Sequence, residues 1–180
     1  MVNLVDYGIQ NEESDVRAHV CPVARRVYVY PTTTGRAAVD SGRYKKVPGW
    51  QPGVNEPTAE GYLVPPFEIE RCISLGVNDG VWERLGMAQA QDTSTKGRKA
   101  LWLVKHMILA GLFPLPMIGT EVQEKDIQIR GADLIVAPRA GAERPFVVQV
   151  KCDYPGGEKA LGGTGNLFLQ VAESNPLGRY

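Results

Sequence analysis

The second half of the chain carries the clearer pattern of apolar and polar positions. Over residues 96–110, apolar side chains such as Leu101 and Val104 recur at helical spacing. Segment 92–95 (DTST) offers N-cap side chains, and Gly111 stands where a helix that ends in the left-handed conformation favours glycine. The spacing predicts a helix over 96–110.

Strand-like runs follow this helix. Segment 121–130 is mostly polar with late alternation, 132–137 (ADLIVA) is apolar, 146–151 (FVVQVK) is rich in β-branched residues, and 166–172 (NLFLQVA) is a further run. The residues between the second and third runs have the length and composition of a hairpin turn. One helix followed by a meander of strands predicts an α/β or α+β arrangement, with the helix packed on one face of a sheet.

Proline and glycine punctuate the first half. Residues 26–30 (RVYVY) alternate as a strand does, and the PTTTG that follows is typical of a turn. Segment 41–57 holds enough glycine and proline to predict a long surface loop, while 68–75 and 81–87 predict two short helices. We therefore divide the chain into residues 1–90, an N-terminal elaboration or small subdomain, and residues 91–180, the core.

Composition sets coarse limits on the class of protein. The 180 residues carry 20 Lys and Arg against 20 Asp and Glu, and 43% of them are hydrophobic. These values predict one globular domain, and they exclude a wholly disordered chain or one that binds nucleic acid through bulk positive charge. A local basic groove stays compatible with zero net charge, because clustering sets the local field.

The expected setting is the cytoplasm, with no membrane contact. The three cysteines are far apart and form no pair with metal-binding or disulfide-framework spacing. The N-terminal segment is acidic and lacks the apolar core of a signal peptide. No apolar stretch is long enough to span a bilayer.

The candidate chemistry lies in Asp133, followed after fifteen residues by Gln149 and Lys151. Because side chains alternate along a strand, Gln149 and Lys151 share one face, and pairing of the two strands would bring Asp133 beside them. Mg²⁺ or Mn²⁺ prefers oxygen ligands, which Asp133, Gln149 and the backbone carbonyl of Val150 would supply. Lys151 would then orient the attacking water and offset charge in phosphodiester hydrolysis.

These residues resemble a known motif. Segments 131–136 (GADLIV) and 147–153 (VVQVKCD) are similar to the core of the PD-(D/E)XK nuclease superfamily, in the D…QxK form of Mrr-like endonucleases. A helix ending in Gly-Leu-Phe before the motif and the TGNLF run at 164–168 add to the resemblance, which covers about residues 95–175. It implies a restriction-endonuclease-like α/β core, with a central mixed sheet flanked by helices, and Mg²⁺-dependent DNA cleavage.

Carried over by position, the resemblance makes Asp133 the metal-binding acid, Gln149 the second ligand and Lys151 the catalytic lysine. Two features depart from the family. The acidic residue that many members carry in the preceding helix is absent, and Glu121, Glu124 or Asp126 are the alternatives for replacing it. A neutral Gln149 also gives the site less negative charge than a glutamate would.

Basic clusters mark the candidate nucleic-acid contacts. Loops with Arg or Lys beside aromatic residues suit phosphate binding and base stacking. The candidate residues are Arg43, Lys45, Lys46, Lys96, Arg98, Lys99, Thr164 and Asn166.

The leading hypothesis is therefore a metal-dependent DNA endonuclease of a restriction, repair or recombination type. Cutting both strands of a duplex with one site per chain favours a homodimer. Two alternatives stay open: a nucleic-acid-binding protein without catalysis on the same fold, and a structural or interaction protein.

Overall fold

The computed structural model of this protein describes residues 14–22, 24–49, 59–87, 93–114, 119–124, 133–138, 145–152 and 167–171. Within them lie nine strands, three α-helices and a short 3-10 helix at Pro66–Glu68. The strands are β1 (Val16–Cys21), β2 (Arg26–Pro31), β3 (Lys45–Gly49), β4 (Ala59–Val64), β5 (Ile73–Gly76), β6 (Gly119–Glu124), β7 (Leu134–Pro138), β8 (Phe146–Cys152) and β9 (Leu167–Val171). The α-helices are α1 (Thr32–Asp40), α2 (Asp79–Leu85) and α3 (Thr93–Leu109).

Six of these strands form one mixed sheet, in the order β5-β2-β1-β8-β7-β6. The β6-β7-β8 meander is antiparallel, as is β1-β2-β5, and the two halves join where β1 runs parallel to β8. A second sheet has the order β3-β4-β9. The expectation of a mixed α/β fold is confirmed at this level.

Helices α2 and α3 cover one face of the six-stranded sheet. Alternate residues of β1, β7 and β8 on this face are apolar, and with Ala100, Leu103 and Ile108 of α3 they form the main core. Helix α3 ends as predicted. Gly111 has φ of +73°, its N–H donates to the Ile108 carbonyl, and the Leu112 N–H donates to the Met107 carbonyl. This pattern of bonds is a Schellman motif.

The opposite face of the sheet meets a smaller core, built on Tyr30. This residue is fully buried and packs with Val39 of α1, Val64 of β4 and Ile69. Helix α1 contacts β2, β4 and β9, so it lies between the two sheets. The fold therefore has helices on both faces of the central sheet.

Several local predictions were wrong because long-range packing outweighed local signals. The predicted turn at PTTTG begins α1. Residues 73–75 of the predicted helix 68–75 lie in β5, beside β2, and residues 45–49 of the predicted loop form β3. Strand β1 was not predicted. The strands at 26–30, 132–137, 146–151 and 166–172 are confirmed in their main parts, as is a helix within 81–87; residues 125–130 lie outside the described part.

The central sheet draws strands from both sides of residue 90. β1, β2 and β5 come from the first ninety residues, and β6, β7 and β8 from the rest. Within the described residues, no helix has both the length and the apolar composition needed to cross a bilayer.

Candidate functional site

The start of β7 holds the carboxylate on which the candidate site depends. Asp133 immediately precedes the strand, and its N–H donates to the Val148 carbonyl at 3.1 Å. One carboxylate oxygen of Asp133 accepts the Val150 N–H at 2.7 Å. Because a carboxylate offers about four acceptor positions, this bond fixes the group beside β8 and leaves capacity for a further ligand.

Gln149 and Lys151 flank Val150, whose N–H donates to the Asp133 carboxylate. They alternate with Val148, which faces the main core, so both lie on the opposite face of the sheet. Gln149 is only 8% exposed, whereas Lys151 stands at the exposed end of β8. The structure thus brings together the three residues that the sequence predicted.

Asp133 and Lys151 share a partly desolvated environment. Burial raises the pKa of Asp133, and the Val150 N–H and the charge of Lys151 oppose that rise. Lys151 retains contact with solvent, yet the surrounding protein desolvates its ammonium group and lowers the pKa of Lys151, against the opposing charge of Asp133. The two charges therefore lie close enough to stabilise each other.

Strand β1 adds two polar residues that the sequence reasoning missed. In the parallel register Arg17 is aligned with Gln149 and His19 with Lys151, on the same face of the sheet. His19 is buried at 3% exposure. The segment VRAHVC has the alternation typical of a strand, because Arg17 and His19 alternate with apolar residues. Only the pairing of β1 with β8, however, places these two residues at the site.

Two of the three predicted replacements for the missing helix acid, Glu121 and Glu124, lie on β6, two strands from β8. The register aligns Glu124 with Leu134, next to Asp133, and Glu121 with Ala137 toward the other end of β7. Asp126 lies outside the described residues. Across the part of the chain that the structure describes, no group of three or more His, Cys, Asp or Glu residues is arranged to hold a metal ion.

The oxygen atoms around Asp133 nevertheless suit a hard cation with few protein ligands. In a strand, the N–H and C=O of one residue point to the same side, so the Val150 carbonyl faces the side where Asp133 accepts the Val150 N–H. Mg²⁺ retains waters and is often held by one or two carboxylates plus substrate phosphates. That requirement is met by Asp133, Gln149 and the Val150 carbonyl. Because Gln149 is neutral, the site carries less negative charge than it would with a glutamate at that position.

The basic cluster of the first half lies near the smaller core. Arg43 is exposed and its guanidinium lies 5.7 Å from the centre of the Tyr44 ring. The Tyr44 hydroxyl donates to a Glu68 carboxylate oxygen at 2.6 Å, and this bond raises the pKa of Tyr44. Lys45 and Lys46 follow on β3, in register with Leu63 and Tyr62 of β4.

The basic cluster of α3 is largely used within the protein. Lys96 is only 8% exposed, and the Lys99 ammonium donates to the Gly86 carbonyl at 2.7 Å, linking α3 to the end of α2. Arg98 is exposed and donates to the Thr95 hydroxyl at 3.4 Å. Helix α3 packs on the face of the sheet opposite Gln149 and Lys151, so this cluster and the candidate site belong to different layers.

The remaining predicted contacts, Thr164 and Asn166, lie outside the described residues.

In comparisons with protein-family models, curated proteins and solved structures, nothing matches this chain. The functional argument therefore rests on the residues of the site.

Proposed function

We propose that this protein is a metal-dependent DNA endonuclease with a restriction-endonuclease-like core, whose site is Asp133, Gln149 and Lys151. The proposal depends on one hydrogen bond, in which the Asp133 carboxylate accepts the Val150 N–H at 2.7 Å. Val150 lies between Gln149 and Lys151, the two polar residues of β8. Helix α3 precedes the strands of the motif, as a helix does in the nucleases that the sequence resembles.

Each residue has a role that follows from its position. Asp133 and Gln149, with the Val150 carbonyl, would hold Mg²⁺ or Mn²⁺, which when bound supplies Lewis-acid activation of water and phosphate. Asp133 is already oriented by the Val150 N–H, so little reorganisation is needed. Lys151 donates to the substrate phosphate or to the attacking water and offsets the negative charge that develops on the phosphate oxygens.

Desolvation makes these roles more effective. Burial disfavours the ionised carboxylate of Asp133 and so raises the pKa of Asp133 when no metal is bound. A cation beside Asp133 would offset this effect by stabilising the ionised form. In the same low-polarity surroundings, the ammonium of Lys151 attracts a phosphate more strongly than it would in water. The site therefore favours the simultaneous presence of a cation and an anionic substrate.

Cleavage of supercoiled plasmid and branched DNA with Mg²⁺ or Mn²⁺ tests the proposal. Asp133→Asn keeps an oxygen for the Val150 N–H but removes the charge, and Lys151→Met removes the ammonium while keeping the length of the side chain. Asp40→Asn, at an exposed position on α1, is the matched control for loss of a carboxylate. We expect cutting by the wild type and the control, and at least a hundredfold loss in both site variants.

A DNA-binding protein without catalysis is the second candidate. It is favoured because, among the described residues, no group of three or more His, Cys, Asp or Glu side chains is arranged to hold a metal ion. Gln149→Glu distinguishes the two, because a second carboxylate should tighten metal binding, measured by calorimetry, wherever Asp133 already holds a cation. Salt-sensitive DNA binding without cutting, and without a calorimetric gain in this variant, would favour the second candidate.

The proposed cleavage of duplex DNA also predicts an assembly state. One site per chain cuts one strand at a time, so a double-strand break requires two sites. We propose that two copies act together on duplex DNA. Sedimentation of the protein with and without a short duplex measures this, and a monomer that only nicks the plasmid would contradict it.

A further inference from the structure

We propose that Arg17 is a phosphate-binding residue of the same site, whose guanidinium binds an oxygen of the nucleic-acid backbone beside Lys151. The inference rests on the proposed function for the identity of the ligand. It assigns to β1, a strand outside the predicted motif, a direct part in holding the phosphodiester.

The first argument is position. β1 and β8 are parallel neighbours, with Arg17 aligned with Gln149 and His19 with Lys151. Neighbouring strands lie about 4.8 Å apart, so the aligned side chains emerge side by side on one face. Arg17 thus lies next to Gln149 and diagonally next to Lys151, within reach of one phosphate group.

The second argument is an unmet hydrogen bond. The Nε atom of Arg17 is buried and has no hydrogen-bond partner in the described structure. A buried donor without an acceptor is unfavourable, and more so when it carries charge. Nε forms one edge of the planar guanidinium fork, the edge that binds phosphate or carboxylate oxygens in pairs. A phosphate placed there would supply the acceptor.

The third argument is charge. In the parallel register Arg17 is two residues from His19, which is aligned with Lys151, so the two positive charges lie close together on one face of the sheet. Two neighbouring cations repel each other, and an anion bound between them relieves that repulsion. Phosphate is the anion that a nucleic acid offers.

Binding of a short duplex DNA, followed by fluorescence anisotropy over a salt series in EDTA and again with Ca²⁺, tests the inference. Arg17→Gln should weaken binding about tenfold and reduce the slope of log K against log salt by about 0.9, the value for one lost phosphate contact. Arg17→Lys should keep the slope and lose part of the affinity, because it retains the charge and loses the fork. Arg84→Gln is the control, since it removes an exposed charge from α2, on the other face of the sheet.

The outcomes separate this inference from the proposed function. Salt-dependent binding that is reduced in Arg17→Gln supports the inference, even where the wild type shows no cleavage and the endonuclease proposal fails. Cleavage by the wild type with binding by Arg17→Gln equal to that of Arg84→Gln overturns the inference and leaves the endonuclease intact. Should Arg17→Gln fail to fold, Arg17→Lys with wild-type affinity would overturn it. A wild type that does not bind DNA would overturn both.

Discussion

Replacement of Asp133 by asparagine or alanine separates its structural role from its proposed role with metal. The carboxylate accepts the Val150 N–H at 2.7 Å where the β7-β8 ladder ends. Asparagine offers a carbonyl oxygen of the same reach, so Asp133→Asn retains an acceptor. Asp133→Ala removes it and leaves the Val150 N–H in a partly buried place without its partner.

The magnitude follows from this bond. Leaving a buried donor unsatisfied costs about 1–3 kcal/mol, whereas exchanging one acceptor for another changes the free energy of unfolding by about 1 kcal/mol or less. In a protein of this size, each kcal/mol corresponds to about 2–4 °C in Tm. We expect Asp133→Ala to lower Tm by about 2–12 °C, and Asp133→Asn to stay within a few degrees of the wild type.

The pH dependence has a definite sign. Burial raises the pKa of Asp133 above its ordinary value of 3.8, so in the folded protein the neutral form is favoured. The stability that this raised pKa contributes is present below the unfolded pKa and is lost as pH rises through the folded pKa. Asparagine does not ionise, so without metal Asp133→Asn should gain stability relative to the wild type as pH rises through that range.

Thermal and urea denaturation in EDTA, followed by circular dichroism from pH 3 to pH 8, give the Tm and the free energy of unfolding of all three proteins. Asp40→Ala, at an exposed site on α1, is the control for loss of a carboxylate. Equal stability of Asp133→Ala and Asp133→Asn would refute the reasoning, because the bond to Val150 would then contribute nothing. If the stability of Asp133→Asn relative to the wild type falls as pH rises, the assigned direction of the pKa shift of Asp133 is refuted.

Three further predictions concern the scaffold of the site. Gly119→Ala should destabilise the fold by about 1–3 kcal/mol, measured by urea denaturation, because its Cβ would overlap Val136 and lie 3.1 Å from the Ala137 carbonyl. Cys72, whose pKa burial raises to about 11, should react with iodoacetamide at pH 8 about a hundredfold more slowly than in the unfolded chain, measured by mass spectrometry. Lys99→Met should lower stability by about 0.5–1.5 kcal/mol, again by denaturation, since it removes the bond to the Gly86 carbonyl.

Each of the two substitutions has a control at another residue of the same chain, and the control for Cys72 is the unfolded chain. Gly97→Ala, on an exposed face of α3 with open space around it, should stabilise the helix by about 0.5–1 kcal/mol. Arg98→Met removes an exposed charge one residue from Lys99 and should have little effect. Equal effects at Gly97 and Gly119, or at Arg98 and Lys99, would contradict the packing described here. Equal rates for native and unfolded Cys72 would contradict the assigned pKa.

Local signals predicted the elements whose conformation depends on near neighbours. Gly111 ends α3 in the left-handed region because glycine has no Cβ to oppose that conformation. The Asn78 side chain caps α2 by accepting the Gly80 N–H, two residues further along the chain. The runs at 132–137 and 146–151 predicted strands, and β7 and β8 lie there. In each case the deciding interaction lies within a few residues.

Elsewhere the deciding contact is remote in the sequence. Segment PTTTG has turn chemistry, yet it begins α1, because α1 packs Val39 into the core that holds Val64 of β4 and contacts β9, both far along the chain. The turn residues Thr and Gly thus serve a helix that is stabilised by tertiary packing. β5 likewise exists because it pairs with β2, far from it in the chain.

The sequence by itself determined the three residues of the candidate site and their shared face, since alternation along β8 and the short β7-β8 connection are local properties. The tertiary structure alone decided what surrounds them. Asp15 and Val147, 132 residues apart, are joined by a hydrogen bond that sets β1 beside β8 and so places Arg17 next to Gln149. Pairing between parallel strands is recorded in no local pattern, because each strand presents a similar row of donors and acceptors, and only the packing of the whole sheet selects the partner.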